Sequence, residues 1–298
     1  MRSIPFRRDP SFARRANASG VTAAAAPVAF LGLAALLLLS SGCGGGLPLL
    51  HPAQTLDTGE IRAEAGFSAN VAAGGLSSAV SAAEADAAAT GGAPTTPGSD
   101  PTFAKGALVE ASVGPGLAPY GGARVGVGQH FEGGLVYTGR AVRADLRRSF
   151  ELGSHWALSV GAGGSAALYG HVENAALPNV SLSQLFGWGA DVPVLLGFQS
   201  EGGLYMFWVG PRAGWEHVDI SQVTSEPKTV TLGAPPISLS ATRWWGGGVV
   251  GLAVGFRHVH VALELDAAYA NIHGSYNQTS VQVDGLTLAP AAALWWTF

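Results

Sequence analysis

His258-Val259-His260 sets two imidazoles two residues apart, and an extended strand would turn both to one face, about 6.6 Å from each other. Glu264 and Asp266 follow on the same face. Imidazole and carboxylate are metal ligands, so a metal-dependent reaction would be sought here first. The spacing argues against it. The carboxylates lie about 13–20 Å further along the strand, too far to share the ion without ligands from another strand. No metal is expected, and a polar lining suits the four residues better. Arg143, Asp145 and Arg147 form a second group of alternate residues on one face. With Arg124 and Glu132 they would make a charged ladder across neighbouring strands. Such a ladder either braces a small barrel from within or acts as a selectivity filter, and bracing is the favoured reading. No spacing assembles a nucleophile with a base, or two carboxylates in reach of each other, so no catalytic residue and no enzymatic activity are expected. The glycines at 121–122, 126, 128, 133–134, 161, 163–164 and 246–248 sit inside strand patterns and not in a strand-to-helix phosphate loop, so no nucleotide or other cofactor is expected.

The elements that would position these groups have a period of two. From Ile61 to Val71 the odd positions read Ile, Ala, Ala, Phe, Ala, Val and the even ones Arg, Glu, Gly, Ser, Asn. A strand sends successive side chains to opposite faces, so one face here is apolar and the other polar. Val142 to Phe150, His258 to Tyr269 and Leu286 to Phe298 repeat the pattern. Arg148 interrupts the apolar face near one end, where a long side chain reaches an interface. Further strands are expected at 106–113, 119–128, 131–138, 155–169, 191–199, 203–216 and 242–256. Connections at Gly139-Arg140, Glu151 to Ser154, Ser200 to Gly203 and Phe256 to His258 are short, whereas 72–105, 171–190, 217–241 and 271–284 are long. A closed barrel of this layout takes an even strand number. The eleven candidates therefore point to twelve, with a strand near 178–187 completing the set, or to ten. Segment 73–105, rich in Ala, Ser, Gly and Thr, reads as a flexible surface loop with a short helix at 78–89, or alternatively as a constriction folded into the lumen.

Composition sets the class. The chain has 298 residues, 48% of them hydrophobic and only 12% charged, with 43 glycines, which suits neither a helical enzyme nor a disordered chain. Five of the sixteen basic residues and one of the twenty acidic ones precede Cys43, so the remainder carries a net charge of −8, which argues against nucleic acid as a partner. Cys43 is the single cysteine, so no intramolecular disulfide can form.

Arg2 to Arg15 are basic, Val21 to Leu39 form an apolar run, and small residues follow, the layout of an export signal over residues 1–42. The apolar run could also just span a bilayer as a permanent anchor. Leu39-Ser40-Ser41-Gly42-Cys43 resembles a bacterial lipobox, with Ser40 where that pattern usually has Leu. The resemblance implies cleavage before Cys43, diacylation of its thiol, and residues 43–55 as a lipidated Gly-rich tether. Gly44 after the cysteine implies the outer membrane of a Gram-negative cell.

The terminal Phe298, with Trp296 and Leu294 at the preceding alternate positions, resembles the C-terminal signal of bacterial outer-membrane β-barrels. That resemblance implies that the barrel assembly machinery reads this strand and pairs it with the first. The alternation alone also fits a soluble sandwich. Long strands, aromatics gathered at strand ends and the C-terminus favour the barrel. The expectation is therefore an all-β chain, an antiparallel transmembrane β-barrel of about 10–12 strands over residues 56–298, with long loops on one side. Its expected role is structural, or the passive passage of small solutes. Its expected partners are outer-membrane lipids and the barrel assembly and lipoprotein export machineries. Binding or adhesion through the long loops, and a lipid-tethered soluble sandwich, are the alternatives.

Overall fold

The computed structural model describes residues 46–90, 100–167, 177, 185–223 and 237–298. Ten strands run up and down in chain order: β1 (Ile61–Ala73), β2 (Gly116–Gly128), β3 (Phe131–Tyr137), β4 (Ala141–Glu151), β5 (Trp156–Ala167), β6 (Leu185–Gln199), β7 (Tyr205–Val223), β8 (Ile237–Phe256), β9 (Val259–Tyr276) and β10 (Thr279–Thr297). Each pairs antiparallel with its chain neighbours, and β10 also pairs with β1, so one sheet closes into a barrel. The count is ten, the lower of the two expected. A single closed sheet also sets the sandwich aside, because a sandwich needs two. Of the strand expected near 178–187, residues 185–187 open β6, and 178–184 lie outside the described residues.

Helices α1 (Gly75–Thr90) and α2 (Pro101–Val113) lie between β1 and β2. The strand expected at 106–113 is thus the greater part of α2. The Asp100 side chain accepts the Thr102 and Phe103 amides at 2.9 and 3.1 Å, Pro101 opens the first turn, and Gly114 at φ 56° closes the last. Residues 103–104 and 106–113 are all buried, which erases the polar stripe that normally marks a helix in sequence. Within the segment expected as a flexible loop, residues 75–90 and 101–105 belong to a packed helix pair, and 91–99 lie outside the described residues. Leu76 and Ala83 of α1 and Phe103, Ala107 and Leu108 of α2 share one buried cluster with Ile220, Leu239, Ile272 and Tyr276 from the inner wall.

The C-terminus and the connections after β2, β4, β6 and β8 share one end of the barrel, here the turn end. The helices and the connections after β3, β5, β7 and β9 share the other, the loop end. Two expectations change. Gly139-Arg140 is short but belongs to the loop end, and 271–284 is not a loop. There β9 and β10 continue to a two-residue turn at Asn277-Gln278, both at positive φ (45° and 69°), as twisted hairpins require. Likewise β6 begins at Leu185, β7 runs to Val223 and β8 starts at Ile237, so 185–190, 217–223 and 237–241 are strand.

Which face is apolar depends on height. Along the turn-end half of β9, Val261, Leu263 and Leu265 point out and are exposed, while His260, Glu264 and Asp266 point in and are buried. Beyond Tyr269 the order reverses: Ala270, Ile272 and Tyr276 are buried inside, and Asn271, His273 and Ser275 face out. The change coincides with outward aromatics, Tyr137, Phe186, Trp188, Trp244 and Tyr269 toward the loop end. Phe150, Trp156, Tyr205, Phe256, Trp296 and Phe298 mark the turn end. Arg148 points out at the turn end with its guanidinium over the rings of Phe131 and Phe150, 5.2 and 5.1 Å away.

Candidate functional site

The lumen holds a continuous ladder of buried charges supplied by the polar faces of β2, β3, β4, β6, β7 and β9. Glu132 accepts from Arg124 Nε at 2.5 Å and Arg147 Nη2 at 2.8 Å. Arg124 also donates to Asp145, and Arg143 reaches Asp145 at 2.5 Å and Asp191 at 2.8 and 3.0 Å, the latter bidentate. Arg212 joins Asp191 at 3.0 Å to Asp266 at 2.9 Å. Four guanidinium groups meet four carboxylates, so the ladder has no net charge with which to select ions of one sign. Glycine is used where the ladder needs space: a Cβ on Gly134 or Gly163 would collide with the guanidinium of Arg124 or Arg143.

The ladder grips a segment of the same chain. Residues 46–57, a strap, run through the lumen from the level of Ala69 down to the turn end, where Gly59 donates to Gly126 O before β1 begins. Leu49 N and Leu50 N donate to the two oxygens of Glu264, at 2.6 and 2.8 Å, and Trp208 Nε1 donates to the same carboxylate at 2.8 Å. Leu56 N donates to Glu132 at 2.9 Å. Arg147 donates to the carbonyls of Pro52 and Gln54, and Arg212 to that of Leu47 at 2.6 Å. Leu49, Leu50 and Ala53 are wholly buried among Tyr120, Leu195, Trp208, Ala262 and Trp295. Residues 46–55, expected as a tether leading to the barrel, therefore fill it. The apolar Leu47-Pro48-Leu49-Leu50 inside a supposed solvent-exposed linker is the signal that could have revealed this.

Arg143, Asp145, Arg147, Glu264 and Asp266 all point into this assembly. His260 also points inward, with Nε2 2.8 Å from Gly203 O. His258 does not: it is exposed in the β8–β9 turn, because the reversal at Arg257 (φ 55°) ends the strand before it. The paired imidazoles on one face therefore do not form, and His258 is not a lumen residue. Asp191, Arg212 and Trp208 were not singled out as lumen residues, since each is an isolated polar or aromatic residue among Gly and apolar neighbours. Leu294 and Trp296 on β10 and Phe298 just after it face outward, and Phe298 N donates to Ile61 O at 2.8 Å across the closing seam. Cys43 lies outside the described residues.

His51 is fully buried in the strap with Nδ1 3.3 Å from Pro52 O. Burial first, then the guanidinium groups of Arg147, Arg124 and Arg143, hold its pKa well below the ordinary imidazole value. The seated strap thus binds fewer protons here than a released one, so seating strengthens as pH rises. The full contribution is present above about pH 6.5, where a solvated imidazole is neutral, and is lost as pH falls below it. Exchange of the Leu49, Leu50 and Leu56 amides, corrected for intrinsic rates, is expected to speed up between about pH 7 and pH 5. His51→Asn is expected to flatten that dependence; an unchanged slope would remove His51 from the account.

No protein-family model matches the chain, and no curated protein matches it.

Proposed function

We propose that this chain is an outer-membrane β-barrel, structural and non-conducting, whose lumen is sealed by its own strap and helix pair. The reversal of the apolar face at the aromatic ring carries the reading. Water on both sides would give no reason to expose Val261, Leu263 and Leu265 below Tyr269 and to bury Ala270 and Ile272 above it. Lipid below and water above give that reason directly. The heights agree. Trp296 pairs with Val259, and Tyr269 pairs with Leu286, ten residues along β10. At about 3.4 Å per residue and a tilt of 35–45°, that is roughly 25 Å, the apolar band of such barrels. The export-signal layout of residues 1–42 and the resemblance of Leu294, Trp296 and Phe298 to a barrel C-terminal signal support delivery by the barrel assembly machinery. The balanced, buried ladder supports bracing over ion selection, and nothing in the lumen pairs a nucleophile with a base among the described residues.

Anchorage through Cys43 belongs to the same proposal and meets a constraint. Gly46 is buried in the lumen, where Ser68 Oγ donates to its carbonyl at 3.2 Å. Three residues span at most about 11 Å. A lipid on Cys43 has to leave by the loop end of the barrel or draw the strap out. A second reading, adhesion at the loop end, is favoured by β7–β10, which continue past the aromatic ring with Ser240, Thr242, His273 and Gln282 facing out.

The test is gel mobility of the protein extracted from an outer-membrane fraction, boiled against unboiled. A faster band without boiling, with the protein in that fraction, is the expected result. Protein of unchanged mobility, found in the soluble fraction, would overturn the reading.

A further inference from the structure

Between the two seals lies a cavity of about 80 Å³, walled by Gly46 and Leu47 of the strap, the last turn of α2, and the inner faces of the surrounding strands. It has room for roughly five to eight water-sized spheres. Five buried polar atoms on the side chains that line it have no hydrogen-bond partner: Ser112 Oγ, Arg212 Nη2, Arg243 Nε, Trp245 Nε1 and Asp266 Oδ1. Buried polar groups are nearly always partnered, so this concentration in one place calls for an occupant.

The charges say which kind. Arg140, Arg212 and Arg243 line the cavity, against the carboxylates of Glu216 and Asp266. Glu216 is taken by Arg243 at 2.8 Å and Asp266 by Arg212 at 2.9 Å. Arg140, whose guanidinium donates to the carbonyl of Ala111, makes no ion pair among the described residues. The lining therefore sets three guanidinium groups against two carboxylates, with Glu216 and Glu110 both acting on Arg140. Its open valences are three N–H donors, one hydroxyl and one carboxylate acceptor.

We propose that this cavity is a binding site for a small hydroxycarboxylate monoanion. The carboxylate accepts from Arg243 Nε, Trp245 Nε1 and Arg212 Nη2, and a hydroxyl on the adjacent carbon donates to Asp266 Oδ1. The site is built from side chains that the sealed-barrel reading does not otherwise use, apart from Arg212 and Asp266. It stands whether or not the barrel sits in a membrane.

Titration calorimetry of the detergent-solubilised full chain with sodium lactate tests it, with propionate as the probe that lacks only the hydroxyl. Lactate is expected to bind with a Kd of roughly millimolar or tighter, as six non-hydrogen atoms allow. Propionate is expected to bind about tenfold more weakly, because it leaves Asp266 Oδ1 unpaired. Trp245→Phe keeps the ring and removes one donor, and is expected to weaken lactate by about tenfold. The mobility of unboiled protein reports whether that variant folds. If it does not, Arg243→Lys, which keeps the charge and removes Nε, serves in its place. No heat with lactate at tens of millimolar would mean that the cavity holds water only. Equal affinity for lactate and propionate, or full affinity in the folded variant, would equally overturn the assignment.

Discussion

The full-length chain is expected to give no conductance steps in planar bilayers, and the chain with both seals replaced is expected to give discrete openings. The strap closes the turn end, where Leu49, Leu50 and Ala53 are packed against Trp208, Trp295 and Leu195. The helix pair closes the loop end, where the rings of Phe103 and Tyr276 meet at a tilt with centroids 5.3 Å apart and Leu108 packs with Ile220, Leu239 and Ile272. These are two seals in series, so either alone blocks the path. Replacing 46–56 alone, or 75–113 alone, with a short Gly-Ser linker is expected to leave the barrel silent. Replacing both is expected to open it. Without the strap, Glu264 loses two backbone donors, Glu132 loses one, and Arg147 loses two carbonyls. Water takes over those bonds at little cost once the lumen floods, whereas the same groups left dry would each cost about 1–3 kcal/mol. Openings from the unmodified chain would contradict the sealed lumen. Openings from the strap replacement alone would show that the helices do not close the loop end.

Loss of Trp296, Thr297 and Phe298 is expected to abolish the fast-migrating unboiled band. β10 is bonded on both sides, to β9 and to β1, and its last residues make the seam: Ala63 faces Trp296 and Arg62 faces Thr297. Just before them Trp295 points inward, stacked on Trp208 at 5.9 Å with the Arg62 guanidinium 4.5 Å above its ring. Truncation frays this seam and bares strand edges that seek other partners. Phe298→Ala, which keeps the backbone pairing, is expected to reduce the amount of folded protein severalfold without abolishing it. A truncated protein that folds as well as the full chain would show that the terminal residues neither close nor guide the barrel.

Strands with one wet and one apolar face are legible in sequence because their period is two, and the parts that were not legible share a physical cause. α2 is buried on nearly every side, so it lacks a polar stripe, and the apolar run at 106–113 passes for a strand. Its punctuation, Asp100-Pro101 before and Gly114 after, was the better guide. The strap looks like a linker because it follows a Gly-rich stretch, yet a linker has no use for adjacent leucines. Short connections occur at both ends of the barrel, so Gly139-Arg140 could be assigned to the wrong end, and the Asn277-Gln278 turn was hidden in what read as a loop. Within the ladder, Arg143, Asp145 and Arg147 stood out because they cluster on one strand. Asp191 and Arg212, equally central, sit alone on theirs, and only the pairing of β6 with β7 brings them together. His258 fails for the opposite reason: the alternation runs on into the short Phe256–His258 connection, and the turn there takes His258 out of the strand.

Under the proposed function the barrel meets lipid below the aromatic ring and water above it. In a Cys43→Ser background, a single cysteine carrying bimane at Leu263 or at His273 places the dye on the same outer face of β9, below and above Tyr269. In vesicles with brominated acyl chains, strong quenching at 263 and little at 273 is the expected result. Equal, weak quenching at both positions would mean that water surrounds the whole barrel, and the membrane reading would fall.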